Sequence, residues 1–206
     1  MQIELAKQSP PGRGGVVSRQ GRNLALAIVG GLVFGTVTWG VSFAGGPLTY
    51  LFIQENSCVY AGCYWQLLTS LVVAPPSILG VVDVLFNAIA VVWLDGLLSG
   101  PFEARTYYAI FILAGLSGNL LSLVSGPGQA SFGASGGIFG LLAAAVSEDY
   151  AYERRINYML LLWFIAIFVM SSFTTTYVNW VAHLGGAAFG LAAGYYLGMG
   201  RRNRQL

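Results

Sequence analysis

Six stretches of the chain are apolar over most of their length: 24–44, 78–98, 106–124, 132–147, 156–173 and 179–199. A helix that crosses a bilayer needs about 20 mostly apolar residues, and each stretch reaches or approaches that length. The pattern therefore predicts an all-α, polytopic membrane protein with six transmembrane helices. The first stretch follows a basic segment, as the core of a signal peptide would. Its apolar run is longer than the roughly 7–15 residues of such a core, so it reads as a retained first span. Residues 1–23, rich in Gly, Pro and Gln, read as a flexible tail, 24–200 as one membrane domain, and 201–206 as a short basic tail.

Composition supports this division. Hydrophobic residues make up 56% of the 206 positions and charged residues only 9%, with a mean hydropathy of +0.68. A soluble domain carries about 25% charged residues. The net charge of +2 is too small to argue for a nucleic-acid partner. The two cysteines, Cys58 and Cys63, are too few for a disulfide scaffold and lack metal-ligating companions.

The basic residues set an orientation. Lys7, Arg13, Arg19 and Arg22 precede span one, Arg105 lies between spans two and three, Arg154 and Arg155 lie between four and five, and Arg201, Arg202 and Arg204 follow span six. These are all ten Lys and Arg of the chain, and none falls after spans one, three or five. The positive-inside rule then places both termini in the cytoplasm. The protein is expected in the cell membrane. The long loop 45–77 lies outside; it holds Tyr50, Tyr60, Tyr64 and Trp65 and a single charge, Glu55. Such a loop suits the membrane interface, either as a connector or as a rim that shapes lateral access to a site. Its external position permits a Cys58–Cys63 disulfide without requiring one.

Polar groups at membrane depth are costly and mark function. Asp83 and Asn87 lie four apart in span two and share a face. Ser135 opens span four and His183, the only histidine, opens span six, each about one turn into its helix. With the orientation above, all four occupy the outer half of the membrane. Span four is short: its sixteen residues rise about 24 Å against about 30 Å of hydrocarbon, so its outer end is expected below the membrane surface. Its N-terminus would offer unpaired N–H groups to a developing oxyanion beside Ser135. The uncharged SGPGQAS loop before it could dip in.

Plainer readings exist for each piece. The pattern Gly133-x-Ser135-x-Gly137 matches a nucleophile elbow, but that elbow needs a strand-to-helix turn, and the context here reads as helical. Gly136 and Gly140, with Gly186, Gly190 and Gly194, are small-residue faces that bring helices together. A lone membrane serine is commonly a helix-bonding hydroxyl, and a lone histidine can bridge two helices. The conjunction of one histidine and one glycine-flanked serine at matching depth favours a nucleophile with its base.

The segments GASGGIFG around Ser135, AHLGGAAFG around His183 and DVLFN ending at Asn87 resemble those of rhomboid intramembrane serine proteases, over about residues 24–199. The resemblance implies a six-helix core, with Ser135 as nucleophile and His183 as general base. It implies Asn87 and the Ser135 N–H as oxyanion donors beside Gly133, and Phe139 packed on the histidine. It also implies an acyl-enzyme formed on transmembrane protein substrates drawn sideways from the lipid bilayer, with span five and the loop after it as the gate. Two positions depart from the family pattern. Gln66 follows Trp65 where the family has arginine. Asp83 stands four before Asn87, where the family usually has a histidine lining the oxyanion hole. An ionised Asp83 would repel an oxyanion, so Asp83 works protonated, pairs with His183, or faces elsewhere. No cofactor, metal or nucleotide is implied. Two other functions fit parts of the pattern: a catalytically silent rhomboid-like binder of transmembrane clients, which would normally lack Ser or His, and a small proton-coupled transporter using Asp83 and His183.

The orientation is directly testable. After reduction, a thiol reagent that cannot cross the membrane is expected to label Cys58 and Cys63 from the outer face of intact cells. Labelling only from the cytoplasmic face would contradict the charge argument.

Overall fold

The structure, a computed structural model, describes residues 17–43, 46–93, 95–99, 101–173 and 179–205. Helix α1 spans Arg19–Trp39. The loop after it carries two short strands, β1 (Ser42–Phe43) and β2 (Gly46–Pro47), a 3-10 turn, strand β3 (Gln54–Glu55), and helices α2 (Asn56–Tyr60) and α3 (Gln66–Thr69). Then follow α4 (Ile78–Trp93), α5 (Asp95–Ser99) and α6 (Ala104–Ser122). Strand β4 (Ala130–Ser131), α7 (Ser135–Glu153), α8 (Tyr158–Phe173) and α9 (Trp180–Asn203) complete the chain. Helices of sixteen or more residues thus occupy all six apolar stretches. By length and composition, α1 and α6 with its 3-10 extension can cross a membrane, and α4 and the first part of α8 are apolar but shorter.

Several boundaries differ from the sequence reading, each for a tertiary reason. Helix α1 begins five residues before position 24. Ser18 caps it, its Oγ accepting from Gly21 N at 3.0 Å, and Ser18 N and Oγ both donate to the Asp95 carboxylate at 2.5 and 2.6 Å. Residues 19–23 are therefore helical, and the tail expected before them falls, for residues 1–16, outside the described residues. Helix α7 is not a short span. Its 19 residues run past the predicted end at 147 because Glu148, only 3% exposed, pairs with Arg201 of α9. The Arg201 guanidinium also lies 4.3 Å over the Tyr152 ring. A charge that looked like a loop signal is buried and neutralised between two helices. Likewise α9 continues through Arg201 and Arg202 to Asn203, absorbing half of the expected tail.

Helix α7 is the centre of the molecule. It is buried without interruption from Gly136 to Ala145, as a helix surrounded on all sides must be. Its most extensive neighbour is α9, followed by α6. The reason is a row of glycines. A Cβ at Gly186, Gly190, Gly194 or Gly198 would lie closer than 3.0 Å to the carbonyl oxygen of Gly136, Gly140, Ala144 or Glu148 respectively. The partners keep a constant offset, so α7 and α9 run parallel with backbone against backbone, the close approach that small residues every fourth position allow. Gly118 of α6 sits equally close to the Ala182 carbonyl, and Gly140 to the Ala114 methyl. Helix α8 contacts α7 and α9 far less extensively. Its ring contact with α4 pairs Trp163 with Trp93, centroids 4.4 Å apart.

Filling one of these contacts should part the helices. Gly190→Val is expected to lower stability by about 3 kcal/mol, the upper end of overpacking costs, because backbone lies opposite and cannot swing away. Gly200→Val, on the same helix with nothing within 4 Å of its Cβ position, is the control and should stay near wild type. Thermal unfolding of both variants in detergent checks the difference.

Candidate active site

Ser135 is the first residue of α7, with Ala134 at its N-cap position. The chain reaches it from β4, which pairs antiparallel with β3 of the outer loop, Ser131 opposite Gln54 and Ala130 opposite Glu55. Gly133 then turns the chain with φ +108°, a conformation that favours glycine, and its N–H donates to the Ser70 carbonyl at 2.8 Å. The serine thus does stand on a strand–turn–helix, which the sequence reading had rejected. The strand is only two residues long and owes its existence to a partner some 75 positions earlier, so no local pattern announces it. Ser135 is also at the helix start rather than one turn in. Its own N–H and those of Gly136 and Gly137 have no backbone partner among the described residues, the first helical bond there being Ile138 N to Ala134 O at 3.0 Å.

His183 is the fourth residue of α9 and 4% exposed. Its Nε2 lies 2.8 Å from Ser135 Oγ, a hydrogen-bonding distance for nucleophile and base. Phe139, one turn along α7 from Ser135, packs on the imidazole with ring centroids 4.7 Å apart, and Phe168 of α8 approaches it at 6.3 Å. These rings hold the imidazole in place and keep its surroundings apolar. Ser135 is partly exposed while His183 is buried, so the hydroxyl is the accessible member of the pair.

Asp83 and Asn87 lie on α4. Asn87, one turn along α4 from Asp83, is buried. The Asp83 carboxyl packs directly on Gly133, where a Cβ would stand closer than 3.0 Å to Cγ and both oxygens. The structure therefore brings five of the six candidate residues into two groups, Ser135–His183–Phe139 and Asp83–Gly133, while Asn87 is buried one turn from Asp83 on α4. Neither Asp83 nor Asn87 hydrogen-bonds to the Ser135–His183 pair among the described residues. No group of three His, Cys, Asp or Glu able to hold a metal is present among the described residues.

A family model described as the Rhomboid domain matches residues 61–200, which include Asp83, Asn87, Ser135 and His183. This chain belongs to the rhomboid family. It is similar to the rhomboid protease GluP of Bacillus subtilis, 29% identical over 150 residues that cover 71% of this chain and 28% of that protein. It is also similar to RHOMBOID-like protein 1 of Arabidopsis thaliana, 31% identical over 120 residues covering 56% of this chain and 31% of the relative. RHOMBOID-like protein 5 of the same plant is 29% identical over 150 residues, covering 70% and 46%. The chain thus spans less than half the length of each of these rhomboid relatives.

The loop between α1 and α4 of this rhomboid is anchored by Gln66 and Trp65. Gln66, 1% exposed, accepts from Glu55 N at 2.9 Å and donates to the Tyr50 carbonyl at 3.0 Å. Trp65 Nε1 donates to the Leu51 carbonyl at 2.7 Å. Cys58 and Cys63 form a disulfide within the same loop.

Two residues that position the site escaped the sequence reading. Asn179 caps α9, its Oδ1 accepting from Ala182 N at 3.3 Å, while its Nδ2 donates to Ser131 Oγ at 2.7 Å. One amide therefore ties the helix of His183 to the strand leading to Ser135. An asparagine directly before an apolar run is an N-cap signal, which was available; its second bond is not legible from sequence. Asn179→Ala is expected to lower stability by about 1–2 kcal/mol through the lost cap, whereas Ser131→Ala leaves the cap and costs about 1 kcal/mol. A double-mutant cycle by thermal unfolding should show the two effects to be coupled rather than additive.

Proposed function

We propose that this rhomboid is an intramembrane serine endopeptidase that cleaves transmembrane protein substrates through a Ser135–His183 dyad. The observation that carries the reading is the 2.8 Å contact between His183 Nε2 and Ser135 Oγ, at a helix start whose N–H groups face no backbone partner. The six long helices are the membrane domain, with both termini in the cytoplasm and the site opening toward the outer side of the cell membrane. The distribution of Lys and Arg supports that orientation.

The chemistry is acyl transfer. His183, with its proton on Nδ1, accepts the Ser135 hydroxyl proton at Nε2 as Oγ bonds to the scissile carbonyl carbon. The carbonyl oxygen gains the negative charge and is met by the N–H groups at the start of α7 and by Asn87. The carbon–nitrogen bond then breaks, and His183 returns its proton to the leaving amine. In the second half His183 takes a proton from water, the hydroxide oxygen bonds to the acyl carbon, and Ser135 Oγ leaves with the proton that His183 holds. A substrate helix must unwind locally to present its carbonyl. The sparse packing of α8 against the core makes its side of the molecule the route of access.

Ser135→Ala and His183→Ala should each reduce cleavage of a transmembrane substrate by more than about 10³-fold while leaving the protein folded. The double variant should be no worse than either single one, because nucleophile and base act as a unit. A serine-directed phosphonate should label wild type and not Ser135→Ala. Labelling of Ser135→Ala, or cleavage by it at the wild-type rate, would remove the serine mechanism. It would leave the silent-binder and transporter functions to be tested by client capture and proton flux.

A further inference from the structure

The acyl-transfer scheme leaves one ionisable group beside the dyad without a task. Asp83 lies on the Asn87 face of α4, one turn earlier. Its Oδ2 is shielded from solvent and has no hydrogen-bond partner among the described residues. The carboxyl rests on Gly133, two residues before the nucleophile, so closely that only a glycine fits there.

Three states of this group have different consequences. An ionised carboxylate would be a buried charge with a bare oxygen, placed against the turn where the reaction itself builds negative charge. A carboxylate serving as the counter-charge of the imidazole would have to bond His183, and the Asp83 carboxyl packs on Gly133 instead. The neutral acid satisfies both demands. Its proton, carried on Oδ2, has nothing yet to receive it among the described residues. A carboxylic acid kept neutral in an apolar site is a competent oxyanion donor.

We propose that Asp83 is a catalytic residue that acts as a neutral carboxylic acid, donating a hydrogen bond from Oδ2 to the scissile carbonyl oxygen as it becomes an oxyanion. No proton is transferred; the O–H bond is kept and the contact strengthens as charge develops. The assignment rests on the protease reading of Ser135 and His183. It makes the site active only while Asp83 is neutral. Among the described residues the other titratable side chain at the site is His183 from α9, which must be neutral to act as base. Asn87 from α4, and Gly133 and Ser135 from the turn and α7, bring no charge. Activity should therefore rise with pH as His183 loses its proton and fall again as Asp83 ionises.

The test combines a spectroscopic and a kinetic readout on the full chain in detergent or vesicles. The infrared difference spectrum of wild type minus Asp83→Asn should contain a carboxylic-acid C=O band at neutral pH, replaced by carboxylate bands only in alkali. This readout does not depend on activity. A neutral acid in a protein that cleaves nothing would therefore strike the protease reading, and a carboxylate at neutral pH would overturn the Asp83 assignment alone. Kinetically, Asp83→Asn keeps a donor and cannot ionise, so kcat should stay within about fivefold of wild type and persist to higher pH. Asp83→Leu removes the donor, and kcat should fall about 10²-fold with KM little changed, as for loss of an oxyanion-hole donor. Collapse of a folded Asp83→Asn protein at every pH, or wild-type kcat in Asp83→Leu, would overturn the proposal. Melting temperatures of both variants separate loss of chemistry from loss of fold.

Discussion

The close contact of α7 with α9 is the constraint on which the rest of this rhomboid depends. Four glycines of α9 meet four successive carbonyls of α7 at a spacing of one turn. No side chain lies between the backbones, so neither helix can slide or rotate without collision or a gap. Apolar side chains give little net drive between helices in lipid, since tails are as apolar as leucine; close packing of small residues supplies the attraction instead. The same register puts the fourth residue of α9 beside the first residue of α7. The 2.8 Å contact between His183 and Ser135 is thus the upper end of a zipper. Its lower end is closed by the Glu148–Arg201 pair.

A second set of contacts holds the approach to Ser135, through the loop between α1 and α4. Gln54 donates to Asn56, to the Asn119 carbonyl and to Ser122, all within 3.1 Å. Asn119 donates to Ser70 Oγ and the Leu67 carbonyl, and Ser70 in turn accepts from Gly133 N. Each of these amides is buried, and their donors are met by side chains and backbone carbonyls, while Gln54 Oε1 has no partner among the described residues. The glycine turn before Ser135 is therefore held by the loop, by Asn179 and by the packing of α7. Ser135 is helical and has no positive φ; the positive φ is left to Gly133.

Much of the site was legible because its chemistry is rare in this composition. In a chain with 9% charged residues and one histidine, a polar group inside an apolar stretch stands out, and desolvation cost alone argues that it has a purpose. Ser135, His183, Asp83 and Asn87 were all found that way, and the glycine faces were read as packing surfaces. The apolar stretches ended at 147 and 199, yet α7 and α9 continue past them through Glu148 and Arg201, which partner each other inside the helical run. A pair of opposite charges on two helices cancels a signal that either one gives alone.

The sequence by itself determined the number and order of the long helices, their small-residue faces and the rare polar residues within them. Apolar length, small-residue spacing and rare polar residues are local properties of the chain. Only the tertiary structure decided which groups touch. The pairing of β3 with β4, the two-way role of Asn179, the anchoring of the loop by Gln66, the Cys58–Cys63 bond and the seat of Asp83 against Gly133 all join residues far apart in sequence or depend on distances that spacing does not encode. Periodicity fixes the face of a helix on which a residue lies. Which face meets which is set by the depth and register at which helices pack, and here a row of glycines meeting a row of carbonyls sets both.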